Sequence, residues 1–180
     1  MKARKLIFSV LPLFVAGMLS ACSSNNSPDV TENIRKSLDQ AGFKDVSVSE
    51  DREKGVVTLT GSVPTDTDKQ QAESIAKSTA PNLVIADQIS VRPPGNESEA
   101  KAVDSDLDKA IEKNLDATLV KHRLKKDVKY DVKNGVVTLT GKVPSQTKRE
   151  QVERLAASVP NVKQVVNEIE VKGQKATSTS

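Results

Sequence analysis

Cysteine, histidine and closely spaced carboxylates are the side chains that most often act as nucleophiles, metal ligands or proton carriers. In this 180-residue chain Cys22 is the one cysteine and His122 the one histidine. His122 lies among cations in Lys121-His122-Arg123-Leu124-Lys125-Lys126 and reads as a solvated surface residue. No second histidine or cysteine accompanies it to complete a metal site, and no glycine loop has the spacing that cradles phosphate. The pair Asp66 and Asp68 falls at a predicted helix start, where acids complement the macrodipole, and Glu168 and Glu170 fall on an outward strand face. Neither an enzyme nor a cofactor or metal is expected from this inventory. What remains is one thiol near the N-terminus and one cluster of cations, Lys121, Arg123, Lys125 and Lys126, extended by Lys129. Such a cluster suits an anionic surface, each cation contributing on the order of 1 kcal/mol near charged lipid.

The thiol has a context. Met1 to Lys5 is basic and Leu6 to Met18 is an apolar run of about thirteen residues, the length of a secretory h-region. A spanning helix needs ~20 apolar residues. Leu19-Ser20-Ala21-Cys22 closes the run and resembles the lipobox of bacterial lipoproteins, whose cysteine becomes the acylated first residue of the mature chain. Cys22 has no internal disulfide partner. Residues 1–21 are expected to be a lipoprotein signal peptide, Cys22 the lipidation site, and 22–28 a lipidated tether that holds the protein to a membrane by its acyl chains. With Ser23 rather than Asp after the cysteine, sorting in a Gram-negative source resembles the outer-membrane case, on the periplasmic side.

Removing the signal changes the charge. The chain's +3 falls to zero, because losing Lys2, Arg4 and Lys5 takes 27 basic residues to 24, level with the 24 acidic ones. Only Phe43 and Tyr130 remain as aromatics. A neutral chain without stacking platforms is not expected to bind nucleic acid. The charge is uneven: residues 28–93 carry 8 basic and 11 acidic groups, residues 104–172 carry 14 and 11. The second half is the better partner for anionic phospholipid.

An internal repeat sets the organisation. Gly55-Val56-Val57-Thr58-Leu59-Thr60-Gly61-Ser62-Val63-Pro64 returns 80 residues later as Gly135 to Pro144 with one change, Ser62 to Lys142. Two tandem α+β domains follow, 29–92 and 104–172, joined by a Pro- and Gly-rich linker at 93–103 and ending in a disordered polar tail at 173–180. Each reads helix, strand, strand, helix, strand, a three-stranded sheet packed by two helices. The first-helix stripes are Val30, Ile34, Leu38 and Leu107, Ile111, Leu115. In the repeated motif Val57, Leu59, Gly61 and Val63 share one face, and Gly61 and Gly141 suit a bulge or a close helix approach. The second helices open on Thr67-x-x-Gln70 and Thr147-x-x-Glu150, both capping boxes. Final strands run Ile85–Val91 and Val165–Val171. At about 65 residues each, the domains are expected to fold as separate, marginally stable units.

Element order, size and the doubled motif resemble the BON domain family. The resemblance implies a non-enzymatic envelope module, associated with phospholipid and with envelope integrity or stress tolerance. It assigns no ligand residues here. The basic segment is instead singled out by asymmetry: the first repeat has Gln40-Ala41-Gly42-Phe43-Lys44 in its place, shorter and far less cationic. The alternative role is a protein-interaction adaptor that docks an envelope assembly partner. Cys22 to Pro28 spans at most ~20 Å, which keeps the first repeat near the leaflet.

Overall fold

The computed structural model describes residues 30–173; Cys22, the expected signal segment and tether, and the expected tail beyond residue 173 fall outside the described residues. The first repeat runs α1 (Val30–Gln40), β1 (Val46–Asp51), β2 (Val56–Val63), α2 (Asp66–Thr79) and β3 (Val84–Val91). The second runs α3 (Glu97–Lys121), β4 (Val128–Lys133), β5 (Val136–Val143), α4 (Gln146–Ala157), β6 (Gln164–Asn167) and β7 (Glu170–Val171). In each, the repeated Val-Val-Thr-Leu-Thr-Gly segment is the central strand. β2 lies antiparallel to β1 and parallel to β3, and β5 lies antiparallel to β4 and parallel to β6 and β7. The expected α+β arrangement is present in both.

Alternation builds each core. Val57, Leu59 and Val63 point at the helices and pack with Ile34, Leu38, Ala72 and Ala76. Val137, Leu139 and Val143 do the same with Leu115, Leu119, Val152 and Ala156. The small residues Ala72, Ala76 and Ala156 let the second helices lie close to their sheets.

Several local expectations need correction. The α3 stripe is one turn further on: Ile111, Leu115 and Leu119 are fully buried, whereas Leu107 is half-buried. Leu119, not Leu115, is the counterpart of Leu38, because both lie the same distance before the helix stop. The second helices start two residues before the expected capping boxes, on Thr65 and Ser145, whose hydroxyls accept from the N–H of Asp68 and Lys148. At Gly61 and Gly141 the close neighbour is not a helix. A Cβ on either would collide with the backbone carbonyl of Asp45 or Asp127, and both glycines have positive φ, 118° and 130°. The expected linker at 93–103 is largely helix, since α3 begins at Glu97 and extends for 25 residues, about 37 Å. Arg92 anchors this extension by an ion pair with Asp104 at 2.8 Å, and the Asp108 carboxylate accepts the N–H groups of Asn134 and Gly135. The last strand of the second repeat is interrupted at Glu168–Ile169, where the Asn167 side chain accepts the Ile169 N–H.

The repeats have their own cores and are also joined by a third apolar cluster. Val56, Val84 and Ala86, on the face of the first sheet turned away from its helices, pack with Val136 and Val166 of the second. Val84 to Ser90 are all buried in consequence, with α2 on one side and the second repeat on the other. The Gln164 amide spans the edge of β3, donating to the Ile85 carbonyl at 2.7 Å and accepting the Asp87 N–H at 3.1 Å. Lys54 pairs with Glu168 at 2.6 Å, and Asn134 donates to the Gln88 carbonyl. Glu168, expected on an outward strand face, instead falls in the break between β6 and β7 and is covered by the other repeat.

Candidate functional site

The basic segment follows α3, and the reason it is exposed begins with how that helix stops. The N–H of Leu124 bonds the Leu119 carbonyl at 2.8 Å and the N–H of Arg123 bonds the Val120 carbonyl at 3.0 Å. These paired bonds close a helix through one left-handed residue and seal it with an apolar contact, here between buried Leu119 and Leu124. The left-handed residue is Arg123, at φ 58°. α1 ends on the same bonds, Phe43 to Leu38 and Gly42 to Asp39, with Gly42 at φ 92°. Glycine has no steric cost in that conformation, whereas a residue with a Cβ pays roughly 1–2 kcal/mol.

This correspondence aligns the two loops. Lys121, His122 and Arg123 stand where the first repeat has Gln40, Ala41 and Gly42, and Lys129 stands where it has Ser47. One residue is inserted between Leu124 and Val128 relative to Phe43 and Val46, so Lys125 and Lys126 replace a single Lys44. α1 carries no basic residue in its last turn, so cations are not needed there to complement the helix dipole. Lys121, Arg123, Lys126 and Lys129 are exposed, as is His122. Lys129 projects from the outer face of β4, opposite Val128 and Val132, which are buried.

Lys125 differs from the other four. It pairs with Asp116 of α3, and its ammonium sits 4.7 Å from the centre of the Tyr130 ring. The Tyr130 hydroxyl donates to the same Asp116 carboxylate at 2.8 Å. The Lys125 hydrogen bond holds the Asp116 carboxyl below the usual range, and Asp116 in turn raises Lys125. Burial, reinforced by Asp116, pushes the Tyr130 phenol up. Lys125 is exposed like the other four cations, but it also braces the loop through Asp116. Asp116 and Tyr130 escape a reading of the sequence because the contact joins residues 9 and 14 apart on different elements.

A second polar feature recurs in both repeats. Lys69 donates to the Ile89 carbonyl at 2.6 Å and lies 3.6 Å from the Asp87 carboxylate, which accepts the Ile89 N–H. Burial raises Asp87, while Lys69 opposes that shift. In the second repeat Arg149 donates to the Asn167 carbonyl, and Asn167 takes the place of Asp87. These groups close the free edge of the last strand, where bare N–H and C=O groups invite pairing. Among the described residues no group of three or more His, Cys, Asp or Glu could hold a metal ion, and no helix is long and apolar enough to cross a membrane.

A pair of small α+β repeats sharing one motif on their central strands defines a tandem-repeat class of protein. The chain belongs to the BON domain family, which matches it twice, over residues 26–93 and 104–173. It is 28% identical over 146 residues to osmotically-inducible protein Y of Escherichia coli (strain K12), covering 79% of this chain and 71% of that protein. It is also 30% identical over 145 residues to an uncharacterized protein in the gshII 5′ region of Anaplasma centrale, covering 79% and 92%. A solved structure of the C-terminal domain of CdsD, a structural protein of the type III secretion system of Chlamydia trachomatis, aligns with 81% of this chain and 98% of its own, at 16% identity and a TM-score of 0.34.

Proposed function

We propose that the protein is a lipid-anchored lipoprotein of the outer membrane that faces the periplasm, contacts anionic phospholipid through its second repeat, and supports the envelope under osmotic or related stress. The anchor reading rests on Leu19-Ser20-Ala21-Cys22 and the stress reading on the likeness to an osmotically inducible protein. The observation that carries the lipid contact is Arg123. A cation occupies a left-handed position that the first repeat fills with Gly42, and it does so beside Lys121, Lys126 and Lys129. A residue kept in a costly backbone conformation, at a place where the fold accepts glycine, points to use of its side chain.

Location and orientation have different sources. Each buried acyl CH₂ is worth ~0.8 kcal/mol and two chains suffice for stable anchoring, so lipid on Cys22 would fix location. Four cations at ~1 kcal/mol each would orient the second repeat against the leaflet. The test is vesicle flotation of the chain from residue 22 onward carrying Cys22→Ser, on phosphatidylglycerol and on phosphatidylcholine vesicles. Flotation on phosphatidylglycerol is expected at low salt, fading as the Debye length falls below ~10 Å above 0.1 M. Replacing Lys121, Arg123, Lys126 and Lys129 by Gln should abolish it, with stability changed by no more than the usual surface amounts, since Gln keeps the Cβ at position 123. Equal flotation of the quadruple variant and its parent overturns the lipid contact. Mass spectrometry of the native N-terminus tests the anchor separately, and an unmodified Cys22 overturns it.

A further inference from the structure

The face by which the two repeats meet is built from matching positions. Val136 and Val166, which meet Val56, Val84 and Ala86, are themselves the 80-residue counterparts of Val56 and Ala86. The polar contacts are reciprocal too. Lys54 reaches Glu168, and Asn134, the counterpart of Lys54, reaches the carbonyl of Gln88, the counterpart of Glu168. When residue i touches j and the counterpart of i touches the counterpart of j, the interface is isologous, related by a local two-fold axis. Each repeat therefore presents one and the same patch, and that patch is complementary to another repeat of this fold.

The patch also distinguishes its partners. Two first repeats paired this way would set Lys54 against Gln88, and Val84 would stand where Gln164 now covers the Ile85 carbonyl and the Asp87 N–H. Two second repeats would bring Glu168, only 9% exposed, against Asn134 with no cation; a buried carboxylate without a partner is strongly unfavourable. The unlike pair satisfies every one of these groups.

We propose that this patch is a pairing surface that selects an unlike repeat, within the chain or from a second copy of this chain, and that Lys54 with Glu168 is its selecting contact. Within one chain the closed form prevails because α3 and the Arg92–Asp104 ion pair keep the two repeats at high effective concentration. When closure in cis is made unfavourable, the first repeat of one chain docks on the second repeat of another, the exchange hinging at Pro93-Pro94-Gly95-Asn96.

Charge reversal in the chain from residue 22 onward, carrying Cys22→Ser, tests this. One chain carries Glu168→Lys and a second carries Lys54→Glu; each alone sets like charges across its own interface. Mixed one to one, the two chains hold matched charges at both interfaces only in trans. Native mass spectrometry and light scattering should show monomers for each variant alone and a doubled mass, one chain of each kind, on mixing. The chain with both reversals should stay monomeric and recover wild-type hydrogen-exchange protection at the Asp87 N–H. Failure of the mass to double on mixing, with wild-type circular dichroism in both variants, overturns the proposal, as does a double reversal that leaves Asp87 unprotected. Should a single variant lose its circular dichroism alone, regained signal together with doubled mass on mixing supports the proposal, and no regain overturns it.

Discussion

The C-terminal ends of α1 and α3 are made by the same pair of backbone bonds, yet one turns on Gly42 and the other on Arg123. An apolar seal sits at the same place in both, Leu38 with partly buried Phe43 in the first repeat and Leu119 with buried Leu124 in the second. The difference lies in one backbone conformation that glycine enters freely and arginine does not, and in the charges gathered around it. The first repeat shows what this fold does when stability alone decides; the second departs from that solution at a measurable cost. Duplicated helix ends thus differ only where the scaffold leaves the residue free.

The largest expected effect falls on a feature that the repeats share. Gly61→Ala or Gly141→Ala places a Cβ against a carbonyl at a φ above 100°, and each should cost roughly 3–5 kcal/mol. Neither the carbonyl of Asp45 nor that of Asp127 is free to yield, being backbone at the start of a strand. Gly141→Ala is the more informative, because β3 of the first repeat is covered by Gln164 and Val166 of the second. Residue-resolved hydrogen exchange should show protection lost throughout β4–β6 and reduced at Ile85 to Ile89. Wild-type protection of β3 in this variant would mean that the third cluster does not couple the repeats.

Exchanging the helix-stop residues comes next. Arg123→Gly relieves the left-handed strain but adds glycine's unfolded-state entropy, for a net gain of roughly 0.5–1 kcal/mol. Gly42→Arg should cost about the same. Urea unfolding of the two variants should therefore move in opposite directions, and flotation of Arg123→Gly on phosphatidylglycerol should weaken although the protein is more stable. A gain in stability with undiminished flotation would leave Arg123 without the role assigned to it.

How much of this was legible in the sequence depends on the range of the interaction. The central strands, the Ala-rich second helices and the tandem order follow from local pattern, and the doubled Gly-Val-Val-Thr-Leu-Thr-Gly segment carried most of it. The α3 stripe is ambiguous in the sequence because Leu107, Ile111, Leu115 and Leu119 form one unbroken i, i+4 series. Only the stop at Arg123–Leu124 shows which three face the core. Finding that stop requires aligning Arg123 with Gly42 across an inserted lysine, and nothing in the residue types marks a left-handed arginine. The interface between repeats was hidden for a different reason. Lys54, Gln164 and Glu168 have the composition of ordinary surface positions, and their pairing depends on the relative placement of two sheets. One faint signal was present: Val56 and Val136 are apolar on the face that Thr58, Thr60, Thr138 and Thr140 otherwise make polar.

The smallest expected effect compares Asp87 with Asn167, which make the same local contact with and without a charge. Both side chains accept the N–H two residues on, Ile89 or Ile169. Burial raises the Asp87 carboxyl above its ordinary value, and the neighbouring Lys69 only partly offsets that. A carboxyl raised by folding binds its proton more tightly in the native state. Its contribution to stability is then complete below the unfolded pKa of ~3.9 and is lost as pH rises through the higher folded value. Asp87→Asn mimics the protonated form, retains the acceptor for Ile89 and reproduces the arrangement already present at Asn167. The variant should be more stable than the wild type at neutral pH, and the two should converge as pH falls below the ordinary carboxylate range. Denaturant midpoints measured from neutral to acid pH on both proteins check this. A variant less stable at neutral pH would show that the Lys69 ion pair outweighs the burial of Asp87, and that the two repeats close their sheet edges by different means.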